Sequence, residues 1–145
     1  MVLRDVIFGD RRTFGDILSS SLEGIATNIL ASRLKKLVAE GLLTSKADPD
    51  HKQRTIYSLT ERSIALLPAL IALGAWGRRF LPVTPELAIR NQVLEEGGAF
   101  LQNSLMAELR ERHLGISNPD DGPSVSAQLQ AAYEATIARA TPPET

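Results

Sequence analysis

Apolar residues recur every three or four positions through the first 40 residues, which is the spacing of helices that bury one face. Residues 3–8 are an apolar stretch typical of the last turns of a helix, here a shortened one. Residues 13–20 follow as a short helix whose first residue, a threonine, can cap it. After a turn over residues 21–24, a longer helix is predicted over residues 26–40. Gly41 stands where a left-handed residue ends a helix at little cost.

The pattern changes after Gly41 to two short apolar stretches, which are predicted as strands over residues 42–46 and 54–59. The loop between them, residues 47–53, is polar and mostly charged, and Pro49 forces a turn in it. A helix that offers side chains outward, followed at once by a two-stranded hairpin, is the outline of a winged helix-turn-helix. The usual role of that unit is to place the helix in a DNA groove.

The rest of the chain is predicted to be helical. Thr60 can cap a long helix that reaches Phe80, with a kink or a local adjustment at Pro68. Three more helices are predicted: from Thr84 to the glycine pair at 97–98, from Ala99 to Leu114, and, after a linker over 117–123, from Val125 to Ala140. The expected fold class is mainly α with a small β-hairpin, in three parts: a winged helix-turn-helix domain over residues 1–80, additional C-terminal helices over 81–115, and a linker with a terminal helix over 116–145.

The helix over residues 26–40 has two unlike sides when its residues are placed at about 100° intervals. Five apolar residues share one side, which must be buried against the preceding helix: Ile29, Leu30, Leu34, Leu37 and Val38. Polar, basic and small residues occupy the other side and its flanks: Thr27, Asn28, Ala31, Ser32, Lys35, Lys36 and Ala39. Amide, hydroxyl and ammonium groups can hydrogen-bond to base edges, and small residues allow close approach. Taken alone, such a face is more often simply solvated.

The predicted hairpin carries cations at and beside its loop. Lys52, Gln53 and Arg54 are consecutive, with Asp48 and Asp50 just before them. The three consecutive residues suit a ribbon laid along a phosphate backbone or a minor groove. A charged turn that keeps the protein soluble explains the same residues equally well.

The net charge of −1 hides an asymmetry between the two halves of the chain. Residues 1–80 hold 12 Lys and Arg against 8 Asp and Glu, whereas residues 81–145 hold 4 against 9. The first part is therefore at +4 and the second at −5. Because phosphate binding depends on local charge, a nucleic acid is expected only at the first part.

Composition excludes several classes of protein. With 43% hydrophobic and 23% charged residues the chain is an ordinary globular sequence, and no apolar run approaches the roughly 20 residues that span a bilayer. No signal peptide is evident, so a cytoplasmic protein is expected. The absence of cysteine rules out disulfides and thiol sensing. His51 and His113 have no partners at metal-ligand spacing, and no phosphate loop or nucleophile motif occurs, so we expect no catalytic residues, metal or cofactor.

Leu73, Trp76 and Phe80 form a stripe at helical spacing on the helix after the hairpin. A ridge of this composition is most often part of a core. A ligand pocket and a dimer seam are the other interpretations.

Several residue types occur in a fixed order between residues 3 and 80. The order is Phe14 with Asp16, then Leu30, Arg33 and Leu34, then Gly41-Leu42, then Tyr57, Leu59 and Thr60, then Leu66, Pro68 and Trp76. In this order and spacing the chain resembles the HxlR-type winged helix-turn-helix transcriptional regulators. No single element is specific, but the ordered set over just over half of the chain is. A serine, Ser63, stands where this family commonly has a glycine, and the first helix is expected to be shorter than the family's.

The resemblance implies a homodimeric bacterial or archaeal regulator that places one helix in each major groove of a pseudo-palindromic double-stranded operator. Five residues are expected at the groove: Thr27, Asn28, Ala31, Ser32 and Lys35. Five cations are expected on phosphates: Arg12, Arg33, Lys36, Lys52 and Arg54. The dimer seam is favoured for Leu73, Trp76 and Phe80. A small-molecule effector is compatible with the resemblance but is not identified by the sequence. The alternative is a winged helix that binds proteins without specific DNA binding.

Overall fold

The structure, a computed structural model, describes residues 2–19, 25–51, 53–120 and 122–140. These residues form seven helices and one antiparallel hairpin in the order α1 (Val2–Gly9), α2 (Phe14–Ser19), α3 (Thr27–Ala39), β1 (Leu43–Ala47), β2 (Thr55–Leu59), α4 (Glu61–Ala65), α5 (Leu67–Phe80), α6 (Pro85–Leu114) and α7 (Val125–Ala140). The predicted fold class, mainly α with a small β-hairpin, is confirmed. The predicted turn at 21–24 lies outside the described residues.

The transition from α3 to the hairpin is fixed by a glycine. Gly41 has a φ of +75°, which residues with a Cβ rarely adopt. Its N–H donates to the Val38 carbonyl at 3.1 Å, and the Leu42 N–H donates to the Leu37 carbonyl at 2.9 Å. These two bonds form a Schellman motif, which satisfies the last carbonyls of α3 and turns the chain into β1.

The hairpin pairs Leu43 with Leu59 at its base and Ala47 with Thr55 at its far end. Leu43 and Leu59 are both buried, so the base of the hairpin belongs to the core and the far end extends from it. The Asp48 N–H donates to the Arg54 carbonyl at 2.8 Å and closes the loop.

The helix predicted over residues 60–80 is divided at Leu66 into α4 and α5. Pro68 lies in the first turn of α5, where its missing N–H removes no helical bond. Thr60 and the fully buried Ser63 cap α4 reciprocally: the Thr60 N–H donates to Ser63 Oγ at 3.0 Å and the Ser63 N–H donates to Thr60 Oγ1 at 3.3 Å. Ser63 therefore has a defined structural role in this cap.

The second half of the chain follows the predicted helices. Gly98, with φ 65° and ψ −162°, interrupts α6 at the predicted glycine pair. The Glu108 carboxylate accepts hydrogen bonds from the first backbone N–H groups of α7, those of Val125 and of Ser126, the latter at 3.1 Å. A carboxylate at a helix N-terminus also interacts favourably with the helix dipole.

The chain packs as two compact units. The first comprises Met1–Ala65 and Leu109–Ile116, and the second comprises Leu66–Glu108 and Ser117–Thr145. Apolar residues of the first unit that are buried are Val2, Val6, Ile7, Ile17, Leu30, Leu34, Leu43, Leu59, Ile64 and Leu109. Those of the second are Leu67, Ile71, Ala88, Leu94, Leu105, Met106, Val125 and Leu129. The division of the chain into domains at residues 80 and 115 stays a proposal.

Candidate nucleic-acid interface

The helix α3 is held in the first unit by its apolar side. Leu30 and Leu34 are buried completely, and α2 packs against α3. The helix α2 begins at the predicted cap, since the Asp16 N–H donates to Thr13 Oγ1 at 3.2 Å. With its apolar side packed in this unit, the other side of α3 faces solvent.

That solvent-facing side is referred to below as the outward face of α3. Its members share exposure to water and are Thr27, Asn28, Ile29, Ala31, Ser32, Arg33, Lys35 and Lys36. All five residues predicted to lie at a DNA groove, and two of the cations predicted on phosphates, are therefore brought together on one continuous surface. Their contacts with DNA stay a prediction.

The position of Ile29 differs from the expectation. We predicted that Ile29 belongs to the buried side, but 46% of its surface is exposed. Residues seven apart in a helix point in nearly the same direction, so Ile29 shares the direction of Lys36, whereas Leu30 shares that of Leu37. The buried stripe is narrower than the count of apolar residues suggests, and it is centred on Leu30 and Leu34.

The two ends of α3 differ: the N-terminus is open to an anion, and the C-terminus is held by hydrogen bonds. Ala26 occupies the N-cap position and offers no side-chain acceptor, and the first turn contains no acidic residue. At the other end, the Thr60 hydroxyl donates to the Gly41 carbonyl at 2.6 Å and Arg62 Nη1 donates to the Glu40 carbonyl at 2.8 Å. A cation at a helix C-terminus is favourable, and these two bonds fix the direction of α3 relative to α4.

Arg12, predicted on a phosphate, is placed against the hairpin. Its Nε donates to the Tyr57 carbonyl at 3.1 Å, and its Nη2 donates to Ser58 Oγ. The Tyr57 N–H donates back to the Arg12 carbonyl at 2.7 Å. Arg12, two residues before α2, is thus joined to β2 by side chain and backbone together, and a phosphate contact of Arg12 stays a prediction.

The hairpin loop is organised by Asp48. This mostly buried carboxylate accepts a hydrogen bond from the Asp50 N–H at 2.9 Å. Arg54 is exposed beside the loop, as expected, and Lys52 lies outside the described residues. Sequence reasoning did not name Lys46, an exposed cation on β1, as a candidate phosphate contact. Its place in the strand directly before a charged loop was a usable signal for that role.

His113 has a structural role that the sequence did not suggest. Its Nδ1 accepts a hydrogen bond from the Leu59 N–H at 3.1 Å, and its Nε2 is buried with no hydrogen-bond partner among the described residues. Burial, with the charges of Arg12 and Arg112 in addition, lowers the pKa of His113 to about 4. The ring is therefore neutral at pH 7 and supports the base of the hairpin. Nowhere in the described ranges do three or more His, Asp or Glu side chains form a group that could hold a metal ion.

The stripe on α5 lies in the second unit. Its exposure rules out the alternative that it is part of the core, and the favoured dimer seam stays a prediction. Leu73, Trp76 and Phe80 are 65%, 52% and 63% exposed. The rings of Trp76 and Phe80 lie against each other, with centroids 5.5 Å apart. Beside Trp76 is an open groove of about 410 Å³, lined by residues of α5 and α6.

None of the helices in the described part of the chain is long and apolar enough to span a membrane.

Comparison with known proteins agrees with this architecture. Residues 1–85 match the HxlR-like helix-turn-helix family. An uncharacterized HTH-type transcriptional regulator of Mycobacterium bovis is 29% identical over 136 residues, which are 91% of this chain and 82% of that protein. Another of Synechocystis sp. is 37% identical over 81 residues, 56% of this chain and 58% of the other.

A solved structure is similar to more than half of the chain. The crystal structure of PA1607, described as a candidate transcription factor, superposes with a TM-score of 0.51 at 32% identity and covers 58% of this chain and 56% of that one. Two findings support a family assignment: α3 is followed by a hairpin, and the family match covers more than half of the sequence. The chain belongs to the HxlR-like helix-turn-helix family.

Proposed function

We propose that the protein is a sequence-specific DNA-binding transcriptional regulator whose α3 enters the major groove and whose hairpin lies on the backbone or in the minor groove. The observation that carries the proposal is the outward face of α3. The helix α3 has 13 residues, of which three are cations and none is acidic, and all three cations are exposed. A polyanion is the partner that such a surface fits best.

The side chains of the outward face divide into two roles. Asn28, Ser32 and Lys35 carry groups that hydrogen-bond to base edges, and Thr27 and Ala31 are small enough to let the helix approach. Arg33 and Lys36 on the flanks, Arg54 and Lys52 at the hairpin, and Arg12 are assigned to phosphates. Phosphate contacts hold the helix in register, and base contacts choose the sequence.

A homodimer completes the proposal. The stripe of Leu73, Trp76 and Phe80 exposes three large apolar side chains close together on one helix. Exposed apolar patches on soluble proteins commonly mark protein interfaces. A two-fold dimer would present two copies of α3 to an operator with two related half-sites.

The test begins with selection of bound sequences from a random duplex library by the full chain. Lys35→Ala should then weaken binding to the selected operator by about 1–3 kcal/mol in a fluorescence anisotropy titration, with a smaller effect on random duplex. Unchanged affinity for the operator would remove Lys35, and with it the assigned face of α3, from the interface.

Arg54→Ala is the matched contrast, because a phosphate contact carries no sequence information. It should weaken binding to operator and random duplex alike and reduce the slope of log affinity against log salt by about 1. A changed base preference with an unchanged salt slope would contradict the role assigned to the hairpin. If the wild-type chain selects no sequence and binds no duplex at low salt, the protein-interaction alternative is favoured.

A further inference from the structure

Ile29 is the one large apolar side chain on the outward face of α3. It is 46% exposed, and its neighbours on this face are polar or charged: Asn28, Ser32, Arg33 and Lys36. It lies in the first turn of the helix, at the end expected to enter the groove most deeply. An aliphatic group that is nearly half exposed lies outside the buried core and cannot hydrogen-bond to a phosphate.

The major groove offers one apolar group to such a side chain. Thymine carries a C5 methyl group there, and the other three bases present mainly hydrogen-bond donors and acceptors. The cations on the same face of α3 supply the charge complementarity that brings the helix to the DNA. The apolar side chain then requires an apolar partner, because an unpaired polar group buried against it would lose its water.

We propose that Ile29 contacts the C5 methyl group of a thymine in each half-site and makes the regulator prefer a thymine at that position. The inference rests on the proposed function, and it adds a named base and a named chemical group. It also explains why an exposed isoleucine stands among polar residues in the first turn of the outward face of α3.

The experiment replaces the selected operator's thymines with deoxyuridine, one position of each half-site at a time. Deoxyuridine lacks only the C5 methyl group and keeps the O4 acceptor and the base pair. At one position the replacement should weaken binding of the wild-type full chain about threefold to tenfold, the value of burying a methyl group. Ile29→Ala should lose a similar factor on the thymine duplex. In the Ile29→Ala variant, the deoxyuridine replacement should weaken binding by less than about a further twofold, which is within the scatter for independent sites.

Ile116→Ala is the matched control, since Ile116 is also about half exposed, at 52%, but lies outside α3. It should keep the full deoxyuridine effect, and circular dichroism should show both variants folded. If no position responds to deoxyuridine, or if the response is the same in wild type and Ile29→Ala, the inference is overturned although the selected operator still supports DNA binding. If the chain selects no operator, the proposed function itself falls.

Discussion

The two compact units present opposite kinds of side chain on helices of nearly equal length. In the first unit, α3 buries its leucines and exposes amide, hydroxyl and cationic groups. In the second, α5 buries Leu67 and Ile71 and exposes Leu73, Trp76 and Phe80. Water solvates the first surface well and the second poorly. This difference supports our proposal of two kinds of partner: a hydrated polyanion for α3 and an apolar protein surface for α5.

The largest expected effect comes from placing a charge in the apolar stripe. If two copies of the chain bury Leu73, Leu73→Glu takes a carboxylate out of water without a partner. The dissociation constant of the dimer should rise by at least about a hundredfold, measured by analytical ultracentrifugation. The free energy of unfolding of the monomer should change little, because Leu73 is 65% exposed.

Ile116→Glu is the control for this variant, since it adds the same charge at an apolar residue that is also exposed but outside α5. It should leave the dissociation constant within about twofold. The assignment of the α5 stripe to a dimer interface would be contradicted by equal dissociation constants for wild type and Leu73→Glu. It would also be contradicted by a wild type that stays monomeric at high concentration. The α5 stripe would then have no partner in a second copy.

A smaller effect should separate internal bonds from surface charge within the first unit. Arg12→Ala removes two guanidinium hydrogen bonds to β2, and we expect the free energy of unfolding to fall by about 2 kcal/mol in urea titrations. Arg11→Ala removes a neighbouring cation whose Nη1 lies 3.8 Å from Asp5 Oδ1 in a partly exposed ion pair. It should cost less than about 0.5 kcal/mol. Equal losses would mean that Arg12 does not hold the hairpin.

The order of elements followed from the sequence because its signals are local. Gly41, Thr60 and the glycine pair at 97–98 act through backbone conformation and capping, which need no knowledge of distant residues. The exposure of Ile29 was missed, because apolar spacing shows which residues share a side but not how wide the buried side is. The bond between His113 and Leu59 was also missed, since it joins residues 54 positions apart.

The smallest effect concerns pH and acts through that bond. The His113 pKa is about 4 in the folded protein, below the value of about 6.5 for an exposed histidine. As the pH falls from about 6.5 to 4, the unfolded chain therefore takes up a proton that the folded chain refuses, and stability is lost. The ring is only partly buried, so solvent screening limits the loss to about 1–2 kcal/mol.

Urea titrations at several pH values between 7.5 and 4.5 measure this loss. In His113→Gln, an amide that accepts the Leu59 N–H without titrating should flatten the pH dependence. His51→Gln, which changes the other histidine, on the exposed hairpin loop, should retain it. Parallel pH profiles for wild type and His113→Gln would show that another group is responsible. A flattened profile would instead show that acid loosens the base of the hairpin in the first unit, whereas the apolar stripe of α5 has no titrating member to respond.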